Sequence, residues 1–138
     1  MKLSQTSLTD SHRQETQEFL FKDLTYVIIG ALLEVSKELG FGFDEKVYQT
    51  AFQKELELRS LKFKRENYSR ISYKGRRVGS KFFDFIIDDK VVVELKVGKD
   101  LYFQHLKQLL SYLKSSGLKV GILAAFTPSG LIYKRVVN

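Results

Sequence analysis

Asp84 and the run Glu94-Leu95-Lys96, ten residues further on, are the side chains of this 138-residue chain whose types and spacing best suit catalysis. Two carboxylates can share a hard divalent cation through their oxygens. An ammonium group beside them can orient a water and offset charge developing on a phosphate. Together they are equipment for phosphodiester hydrolysis. The same acid-x-Lys pattern on an exposed sheet face is more often a solvated ion pair, so the surroundings decide between the two readings.

The strand period supplies those surroundings. Phe82 to Ile87 and Val91 to Val97 are β-branched and aromatic runs separated by Asp88-Asp89-Lys90, the pattern of a hairpin with a short loop. Alternation places Val91, Val93, Leu95 and Val97 on one face and Val92, Glu94 and Lys96 on the other. If Ile87 lies opposite Val91 across a three-residue loop, Asp84 falls opposite Glu94 on the same face, with Cβ atoms about 4.5–5.5 Å apart. A two-residue loop would shift the register by one and separate them. Lys96 follows roughly 6–7 Å along the same face. Phe82 and Ile86 flank Asp84, and Val92 precedes Glu94, so this face is expected to be at least partly covered. Buried carboxylates need a partner or a metal.

Composition narrows the ion and the partner. A hydrophobic content of 43% with one proline describes an ordered globular chain, long enough for one core and too short for a second. The longest apolar run, Tyr26 to Leu33, is far too short to cross a bilayer, and Met1 to Gln17 has no apolar signal core. The expectation is a cytoplasmic protein with no membrane partner. With no cysteine and only His12 and His105, zinc is disfavoured and oxygen ligands point to Mg²⁺ or Mn²⁺. The net charge of +7 is localised. Residues 61–81 hold eight of the 23 Lys and Arg residues and one of the 16 acids, Glu66, so the rest of the chain is neutral. Lys62, Lys64, Arg65, Arg70, Lys74, Arg76, Arg77 and Lys81 are thus the expected footprint of a polyanion such as DNA. A basic hairpin kept charged for solubility is the plainer alternative.

The elements that must position these residues follow from periodicity. Residues 1–17 are expected to form a flexible segment ahead of a single domain, 18–138. Apolar residues at three- and four-residue steps predict a long amphipathic helix from about Glu15 to Leu39, stopped by Gly40-Phe41-Gly42. A second helix is predicted from about Asp44, its N-cap, to Arg59, burying Val47, Ala51 and Leu58. Strand-like residues 62–74, a turn at Gly75 to Gly79 and the acidic hairpin come next. A third helix from Leu101 to Ser116 ends at Gly117, with Leu106, Leu109, Leu110 and Leu113 as core. Lys119 to Phe126 reads as a fully buried strand, and Leu131 to Val137 as an edge strand. A hairpin followed by a helical crossover into a buried strand implies an α/β sandwich with a mixed central sheet covered on both faces.

Asp84 and Glu94-Leu95-Lys96 within an αβββαβ order resemble the PD-(D/E)XK nuclease superfamily. Gln108 and Tyr112 on the third helix match the QxxxY element of its RecB-like branch, with His105 three residues earlier on the same helical face. Gly42, Glu45 and Tyr48 match the signature of the GxxExxY family. The resemblance runs from about Leu20 to Val137, with Phe83 standing where proline often precedes the aspartate. It implies a three-layer α/β/α restriction-endonuclease-like fold with an added N-terminal helix and C-terminal strand. It also implies a metal-dependent nuclease in which Glu45 joins Asp84 and Glu94 around the metal and the Leu95 carbonyl completes the set.

Lys96 would then orient the attacking water, while Gln108 and Tyr112 would touch the phosphate backbone or steady Lys96 and Glu94. Other readings stay open for Glu45 and Tyr112, less so for Gln108. Glu45 is also what a helix dipole favours in a first turn. Tyr112 on an amphipathic helix is commonly core, whereas an amide such as Gln108 on a packed face needs partners. For the whole chain, the alternative is a nucleic-acid-binding or scaffolding module that keeps the fold without cleaving. A homodimer or partner protein is expected where a small domain must complete a substrate groove.

Overall fold

The chain has neither glycine nor proline before Gly30, so nothing interrupts helix propensity there, and one helix, α1 (Lys2–Leu39), occupies the whole N-terminal stretch. It begins well before Glu15, where periodicity first marks it, because a helix polar all round carries no periodic signal. The computed structural model describes the backbone of residues 2–99 and 103–138 and the side chains of 21–65, 70–80, 84–99 and 103–138. Leu101 and the side chains of Lys81 and Phe82 lie outside the described residues. Ile28, Ala31, Leu32 and Val35 of α1 are buried at helical spacing. Gly40 then takes a positive φ of 68°, which glycine adopts without penalty at a helix C-terminus.

Helix α2 (Glu45–Leu58) has Asp44 at its N-cap, although the carboxylate makes no capping hydrogen bond. Its buried stripe is Tyr48, Phe52 and Leu56 at i, i+4, i+8. Val47 and Leu58, expected in the core, are 40% and 64% exposed. The larger aromatic residues win the inward face because they bury more apolar area.

Strands β1 (Phe63–Tyr73), β2 (Arg76–Ile87), β3 (Val91–Val97), β4 (Val120–Thr127) and β5 (Gly130–Val137) form one sheet in the order β1-β2-β3-β4-β5, with helix α3 (Phe103–Ser116) crossing from β3 to β4. β3 and β4 are parallel and the other neighbours antiparallel. The sheet is therefore mixed, with β5 at one edge. Among the described residues no helix is long and apolar enough to cross a membrane.

The sequence places the first hairpin turn at Gly75 to Gly79, but it is the two residues Lys74 and Gly75, at φ of 50° and 77°. Arg76 and Arg77 belong to β2. A two-residue turn with both φ positive matches the twist of the flanking strands.

Alternation on the central strands sorts side chains into two cores. Val91, Val93 and Leu95, with Ile122, Ala124 and Phe126 of β4, pack against α1 and α2. Val92 and Leu123 face Leu109 and Leu113 of α3. Gly121 lets α3 approach, since a Cβ there would lie 3.1 Å from Leu109 Cδ2.

Candidate active site

The β2–β3 register decides whether the two acids meet. The structure pairs Ile87 with Val91, Ile86 with Val92 and Phe85 with Val93, which is the three-residue-loop register that brings Asp84 to the level of Glu94. Asp88 and Asp89 both sit at φ 53°, and the Lys90 N–H donates to the Ile87 carbonyl at 3.0 Å. Lys90 is the extra residue that sets the register.

Pairing between the two strands stops at Phe85 and Val93, and Asp84 is the first residue beyond it. From there β2 continues with β1 as partner, while β3 continues with β4. Carboxylates bridge the opening gap. Asp84 Oδ2 accepts from the Leu95 N–H at 2.8 Å, and Glu94 Oε1 accepts from the Asp84 N–H at 3.2 Å. Each acid thus satisfies a backbone donor that the parting strands would leave unpaired. Glu94 is only 5% exposed, so the acid-x-Lys run is no solvated ion pair.

Glu45 enters from the start of α2. Its carboxyl is pushed above the usual carboxylate range by burial first and by the negative charge of Asp84 second, and Lys96 draws it back down. The GxxExxY residues explain how it is held there. Gly42 has φ 126°, a region essentially closed to other residues. The Tyr48 ring is fully buried and stacks on Phe126 with centroids 4.3 Å apart. Its hydroxyl donates to the Gly40 carbonyl at 2.6 Å and accepts from the Phe43 N–H at 3.5 Å. Gly42 and Tyr48 therefore build the loop that launches Glu45 and stand back from the chemistry.

Two residues steady Asp84 that sequence reasoning did not assign to it. Gln49 Nε2 donates to Asp84 Oδ1 at 3.5 Å, and its Oε1 accepts from Arg65 Nη2 at 3.3 Å. Arg65 Nη1 also donates to Gln53 Oε1 at 2.7 Å, and its guanidinium lies 5.8 Å from the centroid of the Phe85 ring. Arg65, expected among the phosphate contacts, is engaged in this inward chain. The signal available for Gln49 was its position one turn after Glu45 on the same helical face.

On the other side of the acids, a cavity of about 10 Å³, of the order of one water, is lined by Glu94, Lys96, His105, Gln108 and Tyr112 with Leu109 and Leu123. The structure thus brings the QxxxY residues to the Glu94-Leu95-Lys96 strand. Gln108 is exposed rather than on a packed face, and its Nε2 donates to the Tyr112 hydroxyl at 3.3 Å. Of the expected α3 core, Leu109 and Leu113 are buried, while Leu106 and Leu110 are intermediate.

The basic residues divide into two sets. Lys62 and Lys64 pair with Asp89 at 3.4 and 3.2 Å, at the turn end of the sheet, and hold the Asp89 carboxyl below its usual range, Lys64 more strongly. Arg70, Lys74, Arg76 and Arg77 are exposed on the part of the β1–β2 hairpin that runs on past Asp84 without β3 beside it. At about 3.3 Å per residue, residues 76–83 extend this arm roughly 25 Å.

The donor set consists of oxygen atoms alone: the Asp84 and Glu94 carboxylates, the nearby Glu45 carboxyl and the Leu95 carbonyl. Oxygen donors and like charges held close together fit a hard divalent cation. Among the described residues, no three His, Asp or Glu side chains stand close enough to form a closed cage.

A family profile described as the PD-(D/E)XK nuclease superfamily matches residues 22–136, and the chain belongs to that superfamily. Nucleases of this superfamily generally use divalent metals. No curated protein matches the chain. Among solved structures, SSO0001 is 20% identical with a TM-score of 0.57, covering 68% of this chain and 50% of its own. An alkaline exonuclease (LHK-Exo) from Laribacter hongkongensis is 7% identical with a TM-score of 0.41, covering 67% and 55%. The chain spans about half the length of these solved structures. The likeness to SSO0001 is one of fold.

Proposed function

We propose that this chain is a Mg²⁺- or Mn²⁺-dependent nuclease of the GxxExxY, RecB-like branch, cutting phosphodiester bonds of nucleic acid, with DNA as the first substrate to test. One observation carries the reading. The Asp84 and Glu94 carboxylates each bond to the other strand's backbone where β2 and β3 part, and Lys96 lines the cavity beside Glu94.

Asp84 and Glu94 would hold the metal, with the Leu95 carbonyl and Glu45 completing its surroundings. The bound ion supplies Lewis acidity toward the phosphate and a more acidic water. The Leu95 N–H and Gln49 fix the Asp84 carboxylate, so little rearrangement is needed on binding. Lys96 places a positive charge where the phosphate gains negative charge, and Gln108 with Tyr112 limits the motion of that neighbourhood. The arm cations Arg70, Lys74, Arg76 and Arg77, with Lys81, would follow phosphates without reading bases. Lys62 and Lys64 would contribute less, because Asp89 partly neutralises them. We read residues 18–138 as one cytoplasmic domain, with a second copy or a partner protein extending the substrate groove.

Purified protein should cut DNA when Mg²⁺ or Mn²⁺ is added, and Asp84→Ala or Lys96→Ala should lower the rate at least about 100-fold. Unchanged cutting by both variants would assign the activity to a contaminant. The localised basic segment would equally serve one second reading, a module that binds nucleic acid without cleaving it. Salt-sensitive DNA binding with no metal-dependent heat on titration would support that reading. Mn²⁺ binding lost in Glu94→Ala would exclude it.

A further inference from the structure

We propose that the cavity between α1 and β5 binds a phosphate-bearing small molecule of the nucleotide class, at a site separate from the acids. Tyr133 and Arg135 of β5 lie opposite Ala124 and Ile122, whose side chains face α1 and α2. Glu94 lies opposite Leu123, which faces α3. The cavity and the Glu94-Lys96 neighbourhood therefore occupy opposite sides of the sheet.

The cavity has a volume of about 730 Å³, within the range of roughly 300–1,000 Å³ usual for small-molecule sites. Three cations line it, Lys22, Arg59 and Arg135, and no acid does so among the described residues. Arg59 is held by Glu55 through its Nε at 3.4 Å. Its Nη1 lies 4.0 Å from where a Cβ on Gly30 would sit, so the absent side chain leaves it room.

Two of the lining residues carry three buried donors, with almost no surface open to the cavity, that are unused. Arg135 Nε and Nη2 and Thr25 Oγ1 make no hydrogen bond among the described residues, and Thr25 is only 8% exposed. A helical threonine can bond the carbonyl one turn back; this one does not. Buried polar groups are nearly always satisfied, and an orphan calls for an explanation.

An anion in the cavity would give these donors a partner once the Arg135 and Thr25 side chains turn toward it. The Nε–Nη2 edge of an arginine forms a fork that two oxygens of one phosphate match, and the threonine hydroxyl suits the third. A phosphate monoester carries roughly −1.5 to −2 charge at neutral pH and offers three acceptor oxygens, a closer match than a carboxylate to Lys22 and Arg135 with Arg59, whose charge Glu55 partly offsets. The rest of the lining is apolar or aromatic, with Ile29 and Leu33 on α1 and Tyr26 and Tyr133, 80% and 47% exposed, at its rim. That surface suits a planar base, since aromatic rings stack on nucleobases.

The test is calorimetric titration of the full chain in EDTA, so that no metal site contributes, with adenosine monophosphate, inorganic phosphate and adenosine as probes. The monophosphate should bind at least tenfold more tightly than either fragment. Arg135→Gln should weaken it tenfold or more, and Gly30→Leu, which puts a side chain into the cavity, should abolish binding while circular dichroism stays as in the parent and melting is no lower. Asp84→Asn should bind like the parent. The proposal is overturned by no binding, by inorganic phosphate binding as tightly as the monophosphate, by equal affinity in Arg135→Gln and Gly30→Leu, or by loss of binding in Asp84→Asn.

Discussion

At the scale of single residues, the site holds like charges together by giving each a backbone donor. Asp84 and Glu94 each have one, whereas Glu45 carries a charge cost that raises its carboxyl's pKa, from burial and then from Asp84. The consequence for stability has a definite sign. A carboxyl whose folded pKa lies above its ordinary 4.5 is bound more tightly by protons in the folded state, so stability falls as pH rises from that ordinary value through the folded one. In EDTA, Glu45→Gln should therefore gain denaturant resistance relative to the parent as pH is raised from about 4 to about 7. Added Mg²⁺ or Mn²⁺ should narrow that gap. A difference between the two proteins that does not change with pH would refute this charge cost. Asp84, Glu94 and Lys96 were legible as a group because a hairpin period of two and a short loop fix their relation. The Gln49–Asp84 contact spans 35 residues, and local pattern says nothing about contacts of that length.

Secondary-structure elements were legible wherever apolar periodicity is strong. The three helices, the acidic hairpin, the buried β4 and the edge β5 fall where that signal sits. What escaped were features set by competition. α2 turns Tyr48, Phe52 and Leu56 inward at the expense of Val47 and Leu58, a choice visible only once the β4 aromatic Phe126 is in place. The tip of the first hairpin falls on Lys74-Gly75, where Gly75 supplies one positive φ and Lys74 stands where asparagine, aspartate or glycine is usual, so the turn signal is weak. The contact between α3 and β4 carries its own prediction. A methyl at Gly121 would lie 3.1–3.2 Å from three atoms of Leu109, which is 2% exposed and would have to shift by a few tenths of an ångström. Gly121→Ala should cost about 1–3 kcal/mol, and cutting should fall with it, since Leu109 adjoins Gln108. Measured melting equal to the parent would mean that the helix–sheet fit is looser than these distances indicate.

For the molecule as a whole, excess positive charge sits on an arm that leaves the sheet at the acids. Replacing Arg70, Arg76 and Arg77 with Gln should lower the slope of log affinity against log salt on duplex DNA by about 0.9 for each phosphate no longer neutralised. Lys62→Gln, at the Asp89 turn, should change it far less. An equal effect from both sets would mean that charge alone, regardless of position, governs binding. The connectivity of the sheet also orders its assembly in time. Asp84 and Glu94 are joined by a ten-residue hairpin, whose closure belongs to the microsecond range. The parallel partner of Glu94 is Leu123, reached only after the α3 crossover, and such distant pairings form late. Pulse-labelled amides of Phe85 and Val93 should accordingly resist exchange during refolding before those of Ile122 and Leu123. The acid pair would then exist for a time without its wall, able to capture ions from solution while the nascent chain is still open.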